Sequence, residues 1–133
     1  MRRSTIRRGA GERASASVEF ALVLPLILIM TLAVVQVGLL VKDQLIVEEC
    51  ARAGARQASV STDDSSVTAA ALEAAVSLDP DRVTVTIDRE GAGGTPVTVH
   101  IRYSAPIVVP LVTWLFPTTV DLGADAVMRQ EGG

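Results

Sequence analysis

Few side chains in this sequence are placed to do chemistry, and none of them stands beside a partner. His100 is the only histidine and Cys50 the only cysteine. That leaves neither the paired Cys or His ligands of a structural zinc site nor a disulfide within the chain. Cys50 reads as a small buried residue on an Ala-rich helix or as a thiol that meets a partner. Asp63 adjoins Asp64, and Asp79 and Asp81 flank Pro80, but neither pair has the alternating oxygen ligands of a calcium loop, closed by a distal Glu. They read as cap and turn residues. Gly91, Gly93 and Gly94 follow a strand without opening a helix and lack the Lys-Ser/Thr of a phosphate loop. His100 alternates onto the polar side of a strand, between Val99 and Ile101. The expectation is a chain with no catalytic, cofactor-binding or metal site, and not an enzyme.

One carboxylate stands apart. Glu19 sits at the mouth of an uncharged run, Phe20 to Val41, of 22 residues. As a helix that run covers roughly 33 Å, matching a bilayer core of about 30 Å. Thr31 and Gln36 interrupt it without forbidding insertion, and Pro25 predicts a bend in its first turns. A carboxylate at the cytoplasmic edge reaches water and is tolerated. Its chemistry there is that of an ordinary interfacial acid, or of a partner for a positive group such as an amino terminus.

The charge split orients the run. Residues 1–41 hold five arginines against Glu12 and Glu19, whereas residues 42–133 hold seven basic and thirteen acidic groups. Arg2, Arg3, Arg7, Arg8 and Arg13 precede the run and Lys42 alone follows closely. The positive-inside rule therefore puts the N-terminus in the cytoplasm and the remainder outside, as a single-pass protein of the cell membrane. The acidic remainder repels phosphate backbones, so no nucleic-acid partner is expected. A cleaved secretory signal would have a shorter apolar stretch and a small-x-small site after it; here Glu48 and Glu49 precede Ala51-Arg52-Ala53. A retained anchor is expected.

Beyond the membrane the helical pattern continues to about Ser59. Val47, Ala51, Gly54 and Ala58 form a small-residue stripe at three- and four-residue spacing, either for packing within the domain or for contact with another helix. Ser61 to Ser66 is a polar break with N-cap candidates, and Val67 to Leu78 reads as a short helix ending at Asp79-Pro80. Val83, Val85 and Ile87 alternate with Thr84, Thr86 and Asp88. Val97, Val99, Ile101 and Tyr103 repeat the pattern after a Gly-rich turn, predicting a hairpin. Val120, Leu122, Ala124, Ala126 and Met128 make a third alternating set. Three strands with one apolar face need a helical cover, so the fold class is α+β: a long N-terminal transmembrane helix extending into a small head with a second helix and a three-stranded antiparallel sheet. The expected divisions are a basic leader (1–14), the membrane helix (15–42) and an extracytoplasmic domain (43–133). Ala105 to Pro117 is apolar but too Pro-broken to span a bilayer. It folds over the core edge, or else presents Trp114, Leu115 and Phe116 as a patch on lipid or a partner.

Ala16-Ser17-Val18-Glu19-Phe20-Ala21-Leu22-Val23-Leu24-Pro25-Leu26 resembles the start of TadE-like proteins, and Ala51-Arg52-Ala53-Gly54-Ala55-Arg56 resembles their second signature. The resemblance covers residues 14 to 60. That family belongs to the tight-adherence (Flp) pilus system and is related to type IV pilins. What it implies is a pilin-like minor pseudopilin, cut by a prepilin peptidase between Ala14 and Ser15, with Glu19 as the fifth mature residue. Glu19 would set subunit register by pairing with a neighbour's amino terminus. The implied partners are the membrane, the peptidase, pilin and other pseudopilin subunits and the pilus membrane platform, and the protein itself would lie in the membrane or in the pilus. Leaders of this kind usually end in Gly, where this chain has Ala14. The competing reading is a single-pass adaptor holding an extracytoplasmic binding domain in another secretion or envelope system.

Overall fold

A computed structural model describes residues 8–91, 93–109 and 117–131. The first element, helix α1, runs from Arg8 to Val60 and passes through Pro25. It starts well before Glu19. Nothing from Arg8 onward forbids a helix there, because Gly9 and Gly11 weaken one without ending it and no proline intervenes. Contacts divide the chain into two compact units between Val35 and Gln36.

In the first unit, the side chains from Ser15 to Val35 are nearly all exposed. By length and composition, α1 from Ser15 to Val60 includes a stretch long and apolar enough to cross a membrane. Its one hydroxyl within the run is satisfied locally, since Thr31 Oγ1 donates to the Ile27 carbonyl at 2.8 Å. A polar group thereby costs little among apolar neighbours.

The second unit begins at Gln36 and holds the core. Helix α2 spans Asp64–Ala74, and strands β1 (Val83–Arg89), β2 (Pro96–Pro106) and β3 (Thr119–Arg129) form an antiparallel sheet in the order β1-β2-β3. Register places Val85 opposite Ile101 and Ile101 opposite Ala124, and likewise Ile87, Val99 and Ala126 in one row. Each alternating apolar set thus falls on the same sheet face. That face is buried by Val47, Cys50, Ala51, Ala55 and Ala58 of α1 and by Val67 and Ala71 of α2. The opposite face carries Thr84, Thr86, His100, Arg102, Asp121 and Asp125.

Local boundaries differ from the periodic reading at α2. It starts at Asp64 because the Asp63 side chain accepts from the Ser65 amide at 3.1 Å, a standard N-cap. It ends at Ala74, and a turn through Leu78 leads to Asp79, which caps the short 3-10 turn Pro80–Arg82. β2 also runs further than its alternation predicted, taking in Ala105 and Pro106 from the odd apolar stretch. Trp114, Leu115 and Phe116 lie outside the described residues.

Candidate functional site

Glu19 lies on α1 with its carboxylate exposed, and Ser15 one turn earlier donates its hydroxyl to Glu19 Oε1 at 3.5 Å. The two residues singled out around the mouth of the apolar run therefore share one helix face. The Ala14–Ser15 bond is itself within α1. Main-chain hydrogen bonds of the helix cover it, so a protease needing an extended substrate must first unwind this turn.

The second signature separates cleanly by burial. Ala51, Gly54 and Ala55 face the core, whereas Arg52 and Arg56 are exposed. The reason for Gly at position 54 is steric: a Cβ there would stand 3.0 Å from Val99 Cγ1 and 3.3 Å from the Ala71 methyl. All four stripe residues, Val47, Ala51, Gly54 and Ala58, are buried in the chain's own core. Their packing partners are the sheet and α2, and within the described unit they offer no surface to a further helix. Arg52 pairs with Glu49 at 3.1 Å and Glu48 at 3.7 Å. Arg56 lines a groove of about 550 Å³ between α1 and α2, together with Glu49, Arg52, Gln57 and Glu73. The mixed charges of this groove favour no single ligand class.

Two residues that sequence reasoning passed over hold the unit together. Arg89, at the end of β1, donates Nη1 to the Ala58 carbonyl at 3.3 Å and Nη2 to the Ser61 carbonyl at 3.2 Å. It also pairs with Asp64 at 2.9 Å. One guanidinium thus closes the C-terminus of α1 and reaches the first turn of α2. The neighbouring carbonyls are met too, Gln57 by the Ser61 amide and Ser59 by the Glu131 amide, so a helix end without a glycine cap is satisfied from outside. The second residue is Gln36. It is 7% exposed, and its Oε1 accepts from the Val108 amide at 3.0 Å. A charged strand end and a lone amide in an apolar run gave no sign of partners so distant in sequence.

The remaining candidates are placed quietly. His100 Nδ1 lies 2.7 Å from Asp125 Oδ1 across the strand pair, on the open polar face. Arg102 lies over Gly123 on the same face, where a Cβ would collide with its guanidinium. Cys50 is buried, and burial pushes its thiol above the ordinary value, with Glu49 adding to the shift. The Ser65 hydroxyl and amide hold the Asp63 carboxyl below its usual range. Among the described residues no group of His, Cys, Asp and Glu is arranged to hold a metal ion.

What joins these features is one stretch of α1 with a carboxylate at its mouth, an apolar run and a buried-Ala, exposed-Arg turn beyond it. Residues 14–56 match the TadE-like protein family. The TadE-like segment starts at the residue before Ser15 and ends at Arg56, so it takes in Glu19, the whole apolar run and the second signature, and leaves α2 and the sheet outside. No curated protein and no solved structure matches the chain.

Proposed function

We propose that this chain is a single-pass membrane protein with a role in a tight-adherence pilus, as a minor pseudopilin that acts by anchoring and subunit packing. The observation that carries the reading is the TadE-like segment itself, with Glu19 at the entrance of a helix apolar enough to cross a membrane. The N-terminus lies in the cytoplasm and the sheet unit outside. A prepilin peptidase cuts between Ala14 and Ser15. The cut places a free amino group at a new helix start with Glu19 in its first turns, where the helix dipole favours a carboxylate. Glu19 then pairs with a neighbouring subunit's amino group and sets the register in which the apolar helices pack. Because the stripe from Val47 to Ala58 is occupied within the chain, that packing uses the exposed surface of Phe20 to Val35. The prepilin peptidase, pilin and pseudopilin subunits and the pilus platform are the partners this requires.

Glu19→Gln in cells carrying the pilus genes tests the pairing. Incorporation of the protein into pilus complexes is expected to fall; unchanged incorporation sinks the register role. N-terminal sequencing of the protein from isolated membranes tests the cut. A mature chain starting at Ser15 is expected, and an intact leader removes the processed form while leaving the anchor.

A further inference from the structure

Where the C-terminal unit begins, its surface is apolar on two elements at once. Val37, Leu39 and Val41 of α1 are 59%, 40% and 55% exposed, and Val108, in the connection after β2, is 65% exposed. The connection is held to the helix by the bond from the Val108 amide to the Gln36 side chain, while Val109 beside it is buried. Gln36 precedes the first charge after the run, Lys42, by six residues, or about 9 Å of helix rise.

An amide at that depth loses its water if the run is in lipid, and an N–H left unmet in hydrocarbon is strongly disfavoured. Non-helical backbone is tolerated there only when its polar groups are met by protein. Gln36 supplies that acceptor, and burial of Gln36 keeps its own amide out of the hydrocarbon. Among the described residues, the group that Gln36 serves is the Val108 amide. We infer that residues 107–109, just after β2, are sunk into the outer leaflet, with Val108 among the acyl chains at the level of Val37, Leu39 and Val41, and Gln36 as the internal partner that makes the immersion affordable. The occupant of this apolar collar is lipid. The lysine-aspartate pair Lys42–Asp43, at 3.3 Å, marks where it gives way to the headgroup region. This rests on the membrane-anchor reading and adds a second, non-helical contact with the bilayer.

The test uses the full chain in vesicles of phosphatidylethanolamine and phosphatidylglycerol with brominated acyl chains, in a Trp114→Phe background that removes the native indole. Val108→Trp is expected to lose most of its emission when the bromines lie near the carbonyl end of the chains, and less when they lie near the methyl end. Met30→Trp serves as the control for the anchor. Quenching at position 30 with solvent-like, unquenched emission at position 108 overturns the collar and leaves the anchor standing. Failure at both positions overturns the anchor and the collar together. An indole at 108 shielded from aqueous acrylamide yet untouched by bromolipid means that protein covers the site, which also overturns the inference. In the same vesicles, Gln36→Leu is expected to speed hydrogen exchange at the Val108 amide several-fold; unchanged exchange removes Gln36 from its role.

Discussion

Gly54 and Gly38 lie on one helix and meet opposite surroundings. A Cβ at Gly38 touches nothing within 4 Å, whereas at Gly54 it presses on Val99 and Ala71. Replacing Gly by Ala in a helix gains about 1 kcal/mol from propensity, but overpacking a closed core costs about 1–3 kcal/mol. Gly54→Ala is therefore expected to lower stability by about 1 kcal/mol, and Gly54→Val by more, in urea unfolding of the detergent-solubilised chain. Gly38→Ala is expected to leave stability unchanged or raised. The glycine of the Ala-Arg block was legible as a small residue on a stripe; its particular neighbours come from the sheet register. Arg89 carries a different lesson. Its position at a strand end gave no hint that it closes the end of α1, because two of its acceptors, on Ala58 and Ser61, are backbone carbonyls that any residue supplies. With a side chain only 19% exposed, Arg89→Ala is expected to cost about 2 kcal/mol through the lost charge-assisted bonds. Arg89→Lys recovers part of this, since one ammonium does not span the same acceptors. If the proposed cut is made, Ala14→Gly, which weakens the helix that covers the Ala14–Ser15 bond, is expected to raise the processed fraction when intact mass is measured on membrane extracts.

At the scale of elements, the three strands were readable because each buries one side only. Alternation of apolar residues survives in sequence when the other side faces solvent, as Thr84, Thr86 and Asp125 do. Central β2 is covered most completely, with Val97, Val99 and Ile101 fully buried, so Ile101→Ala is expected to cost about 2–5 kcal/mol. The bounds of α2 were less readable, because its start is chosen by a side-chain bond and not by an apolar period. That bond also makes the start of α2 sensitive to acid. The folded Asp63 carboxyl is held below its ordinary value by Ser65. Its contribution to stability is thus present above the unfolded carboxylate range near about pH 4 and is lost as pH falls through the folded value. Thermal unfolding followed by circular dichroism is expected to show this as a Tm that declines on acidification more steeply than in Asp63→Asn. Equal slopes for the two proteins would remove Asp63 from the acid response.

At the scale of the whole molecule, composition and charge marked an apolar helix and a separate acidic part, and the structure divides the chain between Val35 and Gln36. Gln36, the first residue of the second unit, accepts from the Val108 amide, on the far side of α2 and two strands in sequence, and no local pattern announces that bond. The pinning of the end of α1 by the Glu131 amide has a similar reach, and it sets an order on biogenesis. The buried stripe from Val47 to Ala58 leaves the ribosome long before β3, and the bond to the Ser59 carbonyl just beyond it comes from Glu131. Throughout that interval the apolar half of α1 is complete while the surface that β2 and β3 will cover is bare. Synthesis thus completes the helix first and supplies the core's cover last, so under the membrane-anchor proposal a translation pause ahead of β3 would hold a nascent protein with its anchor made and its core still open to proteases and chaperones.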